Sequence, residues 1–215
     1  TCDWSSDVCS SDLGHIKVVA TDGHRLSYAA RPLGQQVDKR EVILPRKAVI
    51  ELAKLLGEVD EPVVVEIFAS QVRFSFGSVV LTSKVIDGKF PDYTRVIPSG
   101  YQKRFSIQRL QLLQALQRAA ILSNEKFRGV RWTMTGNALR VSCTNNEQEE
   151  AQEELEIAYE GEALDIGFNI TYLLDVLNNV HTDAVECALG DANSSMLIMV
   201  PNDPEFRYVV MPMRI

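Results

Sequence analysis

One local plan recurs along this chain and limits what it can fold into: a short strand, an amphipathic helix, then further strands. Ile43-Leu44-Pro45 leads into a helix expected over Arg46 to Leu56, where Val49, Leu52, Ala53 and Leu56 fall at i, i+3, i+4, i+7 and mark one buried face. Lys47, Glu51 and Lys54 lie on the opposite stripe. Arg104-Phe105-Ser106-Ile107 leads into a second helix, about Gln108 to Ile121, with Ser106 as N-cap and Arg109, Leu113, Leu116 and Ala120 marking its repeat. A third, about Ile170 to Val180, takes Asn169 as N-cap and buries Ile170, Leu173, Leu174 and Leu177. Helix starts thus recur at roughly sixty residues, the signature of stacked copies of one supersecondary unit.

Strands fill the rest. Val63 to Phe68, Val72 to Phe76 and Val79 to Ser83 read as a meander. Val130 to Thr135 and Leu139 to Thr144 are joined by Gly136-Asn137, a hairpin signal. Leu155 to Tyr159, Leu164 to Phe168, Val185 to Leu189, Met196 to Val200 and Tyr208 to Met213 follow. The expected class is α+β, with antiparallel sheets and few helices. Pro91 and Pro98 punctuate a domain boundary near Tyr93 to Ser99, after which the plan restarts at Arg104.

Composition excludes little but directs attention to where charge sits. At 46% apolar and 24% charged, the 215 residues suit one large or two small globular domains. No apolar run approaches the ~20 residues that span a bilayer. A net charge of −7 argues against a nucleic-acid partner only if charge is evenly spread. It is not. Between Tyr93 and Asn124 stand Arg95, Lys103, Arg104, Arg109 and Arg118 with no Asp or Glu, the first helix adds Arg46, Lys47 and Lys54, and Glu147 to Glu162 is dense with glutamate. Basic helix faces without interleaved aromatics suit loose contact with duplex phosphate better than single-strand stacking. Cys143 and Cys187 sit in alternating apolar strands and read as reduced core thiols. No CxxC, HExxH or carboxylate cluster has ligand spacing, so neither a structural metal nor a cofactor is expected.

Val18-Val19-Ala20-Thr21-Asp22-Gly23-His24-Arg25-Leu26 carries the most chemistry. Asp22-Gly23 between two β-runs predicts a tight hairpin. A catalytic reading would pair Asp22 with His24, but no nucleophile elbow, P-loop or GxGxxG accompanies them. The expectation is a chain without catalysis of its own, with a small α+β enzyme and a repeat-type protein-binding scaffold as alternatives.

Those residues also carry a resemblance. The stretch from Val19 to Leu26, Phe90-Pro91-Asp92-Tyr93, the stretch from Ala120 to Arg131, and Tyr208-Val209-Val210-Met211-Pro212-Met213-Arg214-Ile215 resemble, in the same order, the bacterial DNA polymerase III beta subunit, the sliding clamp. The resemblance runs from about Gly14 to Ile215. It implies repeated clamp domains whose sheets face outward and whose helices line a ring around double-stranded DNA, with Arg46, Lys47, Lys54, Arg109 and Arg118 facing phosphate. It implies a cytoplasmic processivity factor that binds polymerase alpha subunit, clamp loader and repair polymerases through short linear motifs. By match, their pocket is walled by Thr21, Gly23, His24, Arg25, Leu26, Pro91, Arg95, Val96, Ser195, Val209, Val210, Met211, Pro212, Met213 and Arg214. The last residue is Ile where the family has Leu, a change that conserves volume.

Residues 1–13, TCDWSSDVCSSDL, show neither strand nor helix period and resemble a translated sequencing-adapter artefact. The family carries a strand and turn there, after a complete earlier domain. The chain is therefore expected to comprise the remainder of a clamp middle domain over 14–94 and a C-terminal domain over 95–215. A full-length clamp forms a homodimeric ring by head-to-tail contact. This piece alone is expected to be monomeric.

Overall fold

The computed structural model describes residues 6–12, 14–57 and 59–215. It divides into two compact units between Tyr93 and Thr94.

The first unit contains β1 (Ser6–Asp12), β2 (His15–Thr21), β3 (Arg25–Pro32), β4 (Arg40–Leu44), α1 (Arg46–Leu56), β5 (Val64–Ile67), β6 (Gln71–Phe76) and β7 (Val79–Lys84). Its first four strands form an antiparallel run in the order β4-β1-β2-β3, and the last three a second sheet, β5-β6-β7. Strict alternation along β6 sends Val72, Phe74 and Phe76 inward. They meet Leu44 and the apolar stripe of α1, Val49, Leu52 and Leu56. Burying a side chain of this size contributes roughly 1.5–3 kcal/mol.

Two expectations change here. The stripe of α1 packs as its spacing predicts, yet no residue of that helix is fully buried and Ala53 is exposed. Within the segment lacking any strand period, Ser6–Asp12 forms β1, paired with β2 through Val8↔Val19 and with β4 through Cys9↔Val42. A ladder between two strands is made by backbone groups, so it needs no side-chain period. Residues 1–5 and 13 lie outside the described residues.

The second unit contains β8 (Lys103–Gln108), α2 (Arg109–Ala120), β9 (Gly129–Thr135), β10 (Ala138–Thr144), β11 (Glu150–Glu156), β12 (Leu164–Asn169), α3 (Ile170–Asn179), β13 (Ala184–Leu189), β14 (Met196–Val200) and β15 (Asp203–Val210). Two antiparallel runs, β15-β14-β13-β8 and β11-β10-β9-β12, enclose its core. Trp132, wholly buried, meets Phe168 edge-on at 5.6 Å between ring centroids and Phe105 at 6.4 Å. Gly136, at φ +57°, turns β9 into β10 as Gly136-Asn137 predicts.

Asn169 caps α3, its side chain accepting the Thr171 N–H at 2.9 Å. Ser106 does not cap α2. It lies inside β8, and the helix starts at Arg109, whose backbone N–H is taken instead by Asp183 O at 2.8 Å. The strand expected over Leu155 to Tyr159 runs earlier, over Glu150–Glu156, because its partner β10 begins at Ala138 and the pairing Ala138↔Glu156 closes the ladder. The last strand likewise stops at Val210 rather than Met213, short of Pro212, which has no N–H to donate.

The two units share one build. β1 to β4 take the places of β9 to β12, α1 that of α3, and β5 to β7 those of β13 to β15, in the same sheet orders. Even the closing contact repeats: Ile86 N–H donates to Ile43 O at 2.8 Å, and Met213 N–H to Gly167 O at 2.9 Å. Ile43 and Gly167 stand at equal distance before their helices, two residues ahead of Pro45 and Asn169.

Candidate functional site

The hairpin β2–β3 is wider than its Asp-Gly suggests. Thr21 pairs with Leu26, so Asp22 to Arg25 lie between the paired residues. Asp22 organises them. Its Oδ1 accepts the backbone N–H of His24 at 3.0 Å and of Arg25 at 3.1 Å, while Oδ2 takes Arg25 Nε at 3.0 Å. Thr21 Oγ1 donates to Arg25 O at 2.7 Å and accepts the Gly23 N–H. Gly23 sits at φ +86°, where a side chain would be strained. The Arg25 side chain is 0% exposed and that of Asp22 10%. Expected among the pocket walls, Arg25 is a buried cation bonded within its own turn. Leu26 is buried beside it, and His24 remains on the exposed side of the turn. An Asp22 whose carboxylate already accepts three N–H groups is poorly placed to act as a general base for His24.

In the second unit, Val209 and Val210 are fully buried at the end of β15, and Met196 pairs with Val210, so Ser195 borders Met211. Past the strand the tail stays apolar and only partly covered: Met211 is 42% exposed and Ile215 59%. Its course is set at Met213, whose N–H bonds to Gly167 on the edge strand β12. Ile215 lies over Gly129 and Gly167, and a Cβ built on Gly167 would stand 2.5 Å from Ile215 Cγ1 and from Met213 O. The first unit has Ile43 at that place; the second has glycine and a seated tail. A lone glycine inside a strand signals close backbone approach, and that signal at Gly167 is the one by which sequence could have found this seat. A cleft of about 500 Å³ adjoins the seat, lined by Phe127, Arg131, Cys143, Glu150 and Met213 to Ile215, among others. Pro91, Arg95 and Val96, the last 42% exposed, lie on the stretch between the last strand of the first unit and the first strand of the second.

The basic residues separate into distinct roles. Lys47 is exposed on α1, Lys54 pairs with Glu51 at 3.1 Å on the same helix, and Arg46 opens it. Arg109 does not fit the phosphate-facing set: its Nε donates to Thr182 O and its Nη1 to Leu177 O, both at 2.9 Å. A guanidinium there satisfies one carbonyl in the last turn of α3 and one in the loop after it, and meets the negative end of the helix dipole. Arg118 forms a two-pronged pair with Glu153, both bonds 2.7 Å. That pairing holds the Glu153 carboxyl below the usual carboxylate range and pushes the guanidinium further up. Burial raises the Cys143 thiol to about 11 and the Cys187 thiol to about 12, so both stay protonated at neutral pH.

Among the described residues there is no cluster of metal-ligating side chains, and no helix is long and apolar enough to cross a membrane. What fold and elements define is a repeat-built α+β protein with a buried-arginine turn in one unit and an apolar, glycine-seated tail in the other.

Comparison with known proteins gives that class a family. Residues 9–92 match the central domain of the DNA polymerase III beta subunit, and residues 94–214 its C-terminal domain. The beta sliding clamp of Vibrio cholerae is 47% identical over 200 residues, 93% of this chain, and that of Escherichia coli 46% over the same share. A crystal structure of the Pseudomonas aeruginosa sliding clamp superposes with a TM-score of 0.94 at 42% identity, covering 100% of this chain and 60% of that one. The same organism's clamp bound to griselimycin gives 0.93 at 44%, covering 98% of this chain and 57% of that one. The chain belongs to the DNA polymerase III beta subunit family, the beta sliding clamps. It spans 55% of the length of the curated relatives it matches.

Proposed function

We propose that this chain is the central and C-terminal part of a cytoplasmic DNA polymerase processivity factor. Full-length, it would close as a homodimeric ring around double-stranded DNA and hold polymerase alpha subunit, clamp loader and repair polymerases by short linear motifs. It performs no chemistry itself and needs no cofactor. Its helices present Arg46, Lys47, Lys54 and Arg118 toward phosphate, loosely enough to slide, and Arg109 serves the fold instead. Phosphate contacts of that kind position a protein on DNA without reading sequence.

The observation that carries the reading is the tail. Apart from exposed Arg214, Met211 to Ile215 is apolar, partly exposed and nonetheless held by Met213 against Gly167. Methionines flanking a proline make an adaptable apolar surface, suited to varied peptide anchors. The turn residues Thr21, Gly23, His24 and Leu26, with Pro91, Arg95, Val96, Ser195, Val209, Val210 and Arg214, are proposed to serve the same peptides, while buried Arg25 shapes the turn. A titration tests this. A fluorescent peptide carrying Gln and a Leu-Phe end is added to the chain and to a form lacking Met211 to Ile215, with circular dichroism as folding control. Apolar anchors contribute roughly 2 kcal/mol or more each, so the truncated form should lose binding while keeping its fold. Unchanged affinity would refute the assignment.

A further inference from the structure

Within the second unit, one strand edge is closed by the chain itself and its counterpart is open. β12 and β8 each precede a helix, and each is the edge of its sheet. The segment after β15 closes the β12 edge, where Met213 N–H bonds to Gly167 O at 2.9 Å. The segment after β11 takes a different course. Ile157 N–H bonds to Asn137 O at 2.8 Å, and among the described residues no backbone bond from that segment reaches β8. Between them lies a cleft of about 1060 Å³, with Arg104, Ser106 and Gln108 of β8 on one bank and Glu156 and Glu160 on the other. The second bank is built rather than slack. Tyr159 is 2% exposed, stands edge-on to Phe105 of β8 at 6.5 Å between ring centroids, and donates its hydroxyl to Glu162 O at 2.6 Å. A Cβ on Gly161 would overlap the Tyr159 ring, so the chain can close around it only with glycine there. A buried ring thus fixes the course of the segment beside β8.

A strand edge with free backbone groups accepts an extended segment, whose main chain supplies affinity and whose alternate side chains supply specificity. The charge left over in the cleft decides which segment. Lys103 reaches Glu162 at 3.9 Å, and Arg104 Nη1 reaches Glu186 Oε1 at 3.4 Å, so both cations of β8 already have carboxylates. Glu156 and Glu160, both exposed, are in no ion pair among the described residues. We propose that the cleft beside β8 receives an extended basic segment of a partner protein. Its backbone pairs with the free edge of β8, over the six residues that strand offers. Its lysine or arginine side chains meet Glu156 and Glu160 on the far bank. An acidic segment would meet like charge there and be rejected.

The probe is an end-capped fluorescent peptide of alternating lysine and valine, as long as β8, added to the full chain and followed by anisotropy and hydrogen exchange. Binding that weakens as salt rises is expected, with amide exchange slowed about tenfold or more over Lys103 to Gln108. Glu156→Gln combined with Glu160→Gln, both at exposed positions, should weaken binding about tenfold, with circular dichroism as folding control. The counterpart with glutamate for lysine should not bind. A peptide of alternating lysine and proline keeps the charge but loses backbone donors, and should lose most of the affinity. Binding of the Leu-Phe peptide at the tail, measured on the double variant, should not change, which separates this site from the proposed pocket. No binding, protection outside β8, undiminished affinity in the double variant, or equal affinity for the glutamate or proline peptide would overturn the proposal.

Discussion

Asp22 and Arg25 hold one another in a place where neither would be stable alone. The guanidinium has no exposure and the carboxylate little, so removing Asp22 takes from a buried charge the carboxylate to which it is bonded. Breaking such a pair costs far more than its net worth, roughly 3 kcal/mol or more. Asp22→Ala should therefore lower stability to urea by about that amount, and His24→Ala on the exposed side of the turn by no more than about 0.5 kcal/mol. Equal effects would mean that the turn is not built on this pair. Gly167 is the second such residue. A methyl group there collides with Ile215 and with the Met213 carbonyl. Gly167→Ala should dislodge the tail and weaken peptide binding about tenfold, ~1.4 kcal/mol, with the melting temperature following far less than affinity. Full affinity in this variant would show that the seat is irrelevant. Neither residue announces its role in the sequence. Asp-Gly reads as a two-residue turn, and only the pairing Thr21↔Leu26 reveals the wider loop that lets Arg25 fold back.

Helices are the most legible elements. Apolar spacing alone sets α1 at Arg46 to Leu56 and places Asn169 before α3, because a 3.6-residue period and a capping side chain are both local properties. The misreadings share a different cause. Ser106 has the chemistry of a cap but belongs to β8, since Asp183 from a distant loop supplies the acceptor. Leu155 to Tyr159 alternates as a strand should, but the extent of β11 is set by where β10 begins. Ala53 lies on the right stripe of α1 and stays exposed, because burial depends on what packs against the helix. Arg109 is equally opaque: a basic residue opening a helix looks free until the end of α3 comes to it. Arg109→Gln should lower the stability of the second unit by about 1–2 kcal/mol. Lys47→Gln should leave stability within about 0.5 kcal/mol. In a ring completed with a relative's first domain, Lys47→Gln should weaken retention on DNA for every sequence and reduce its salt slope by up to about one unit, whereas Arg109→Gln should leave that slope unchanged. A change in salt slope with Arg109→Gln and none with Lys47→Gln would reverse the two roles.

Across the full chain, a net charge of −7 does not by itself argue against the proposed DNA partner, because what matters is where charge sits. Five basic side chains, Arg46, Lys47, Lys54, Arg109 and Arg118, stand on helices. Arg46 and Lys47 open α1, while Glu150, Glu154 and Glu156 stand on the exposed side of β11. A field segregated in this way can attract phosphate on one surface whatever the sign of the total. The succession of helices and of most strands could be expected from sequence because the sixty-residue plan is long and regular.

The proposed function requires a ring that stays on DNA by closure rather than by affinity, and that property can be measured. The chain is joined to the first domain of the Vibrio cholerae clamp, the product is loaded onto nicked circular DNA, and its release is followed before and after the circle is cut at one site. Retention on the circle and rapid loss from the cut ends, for any DNA sequence, is the expected result. Release at the same rate from circular and linear DNA would refute the ring.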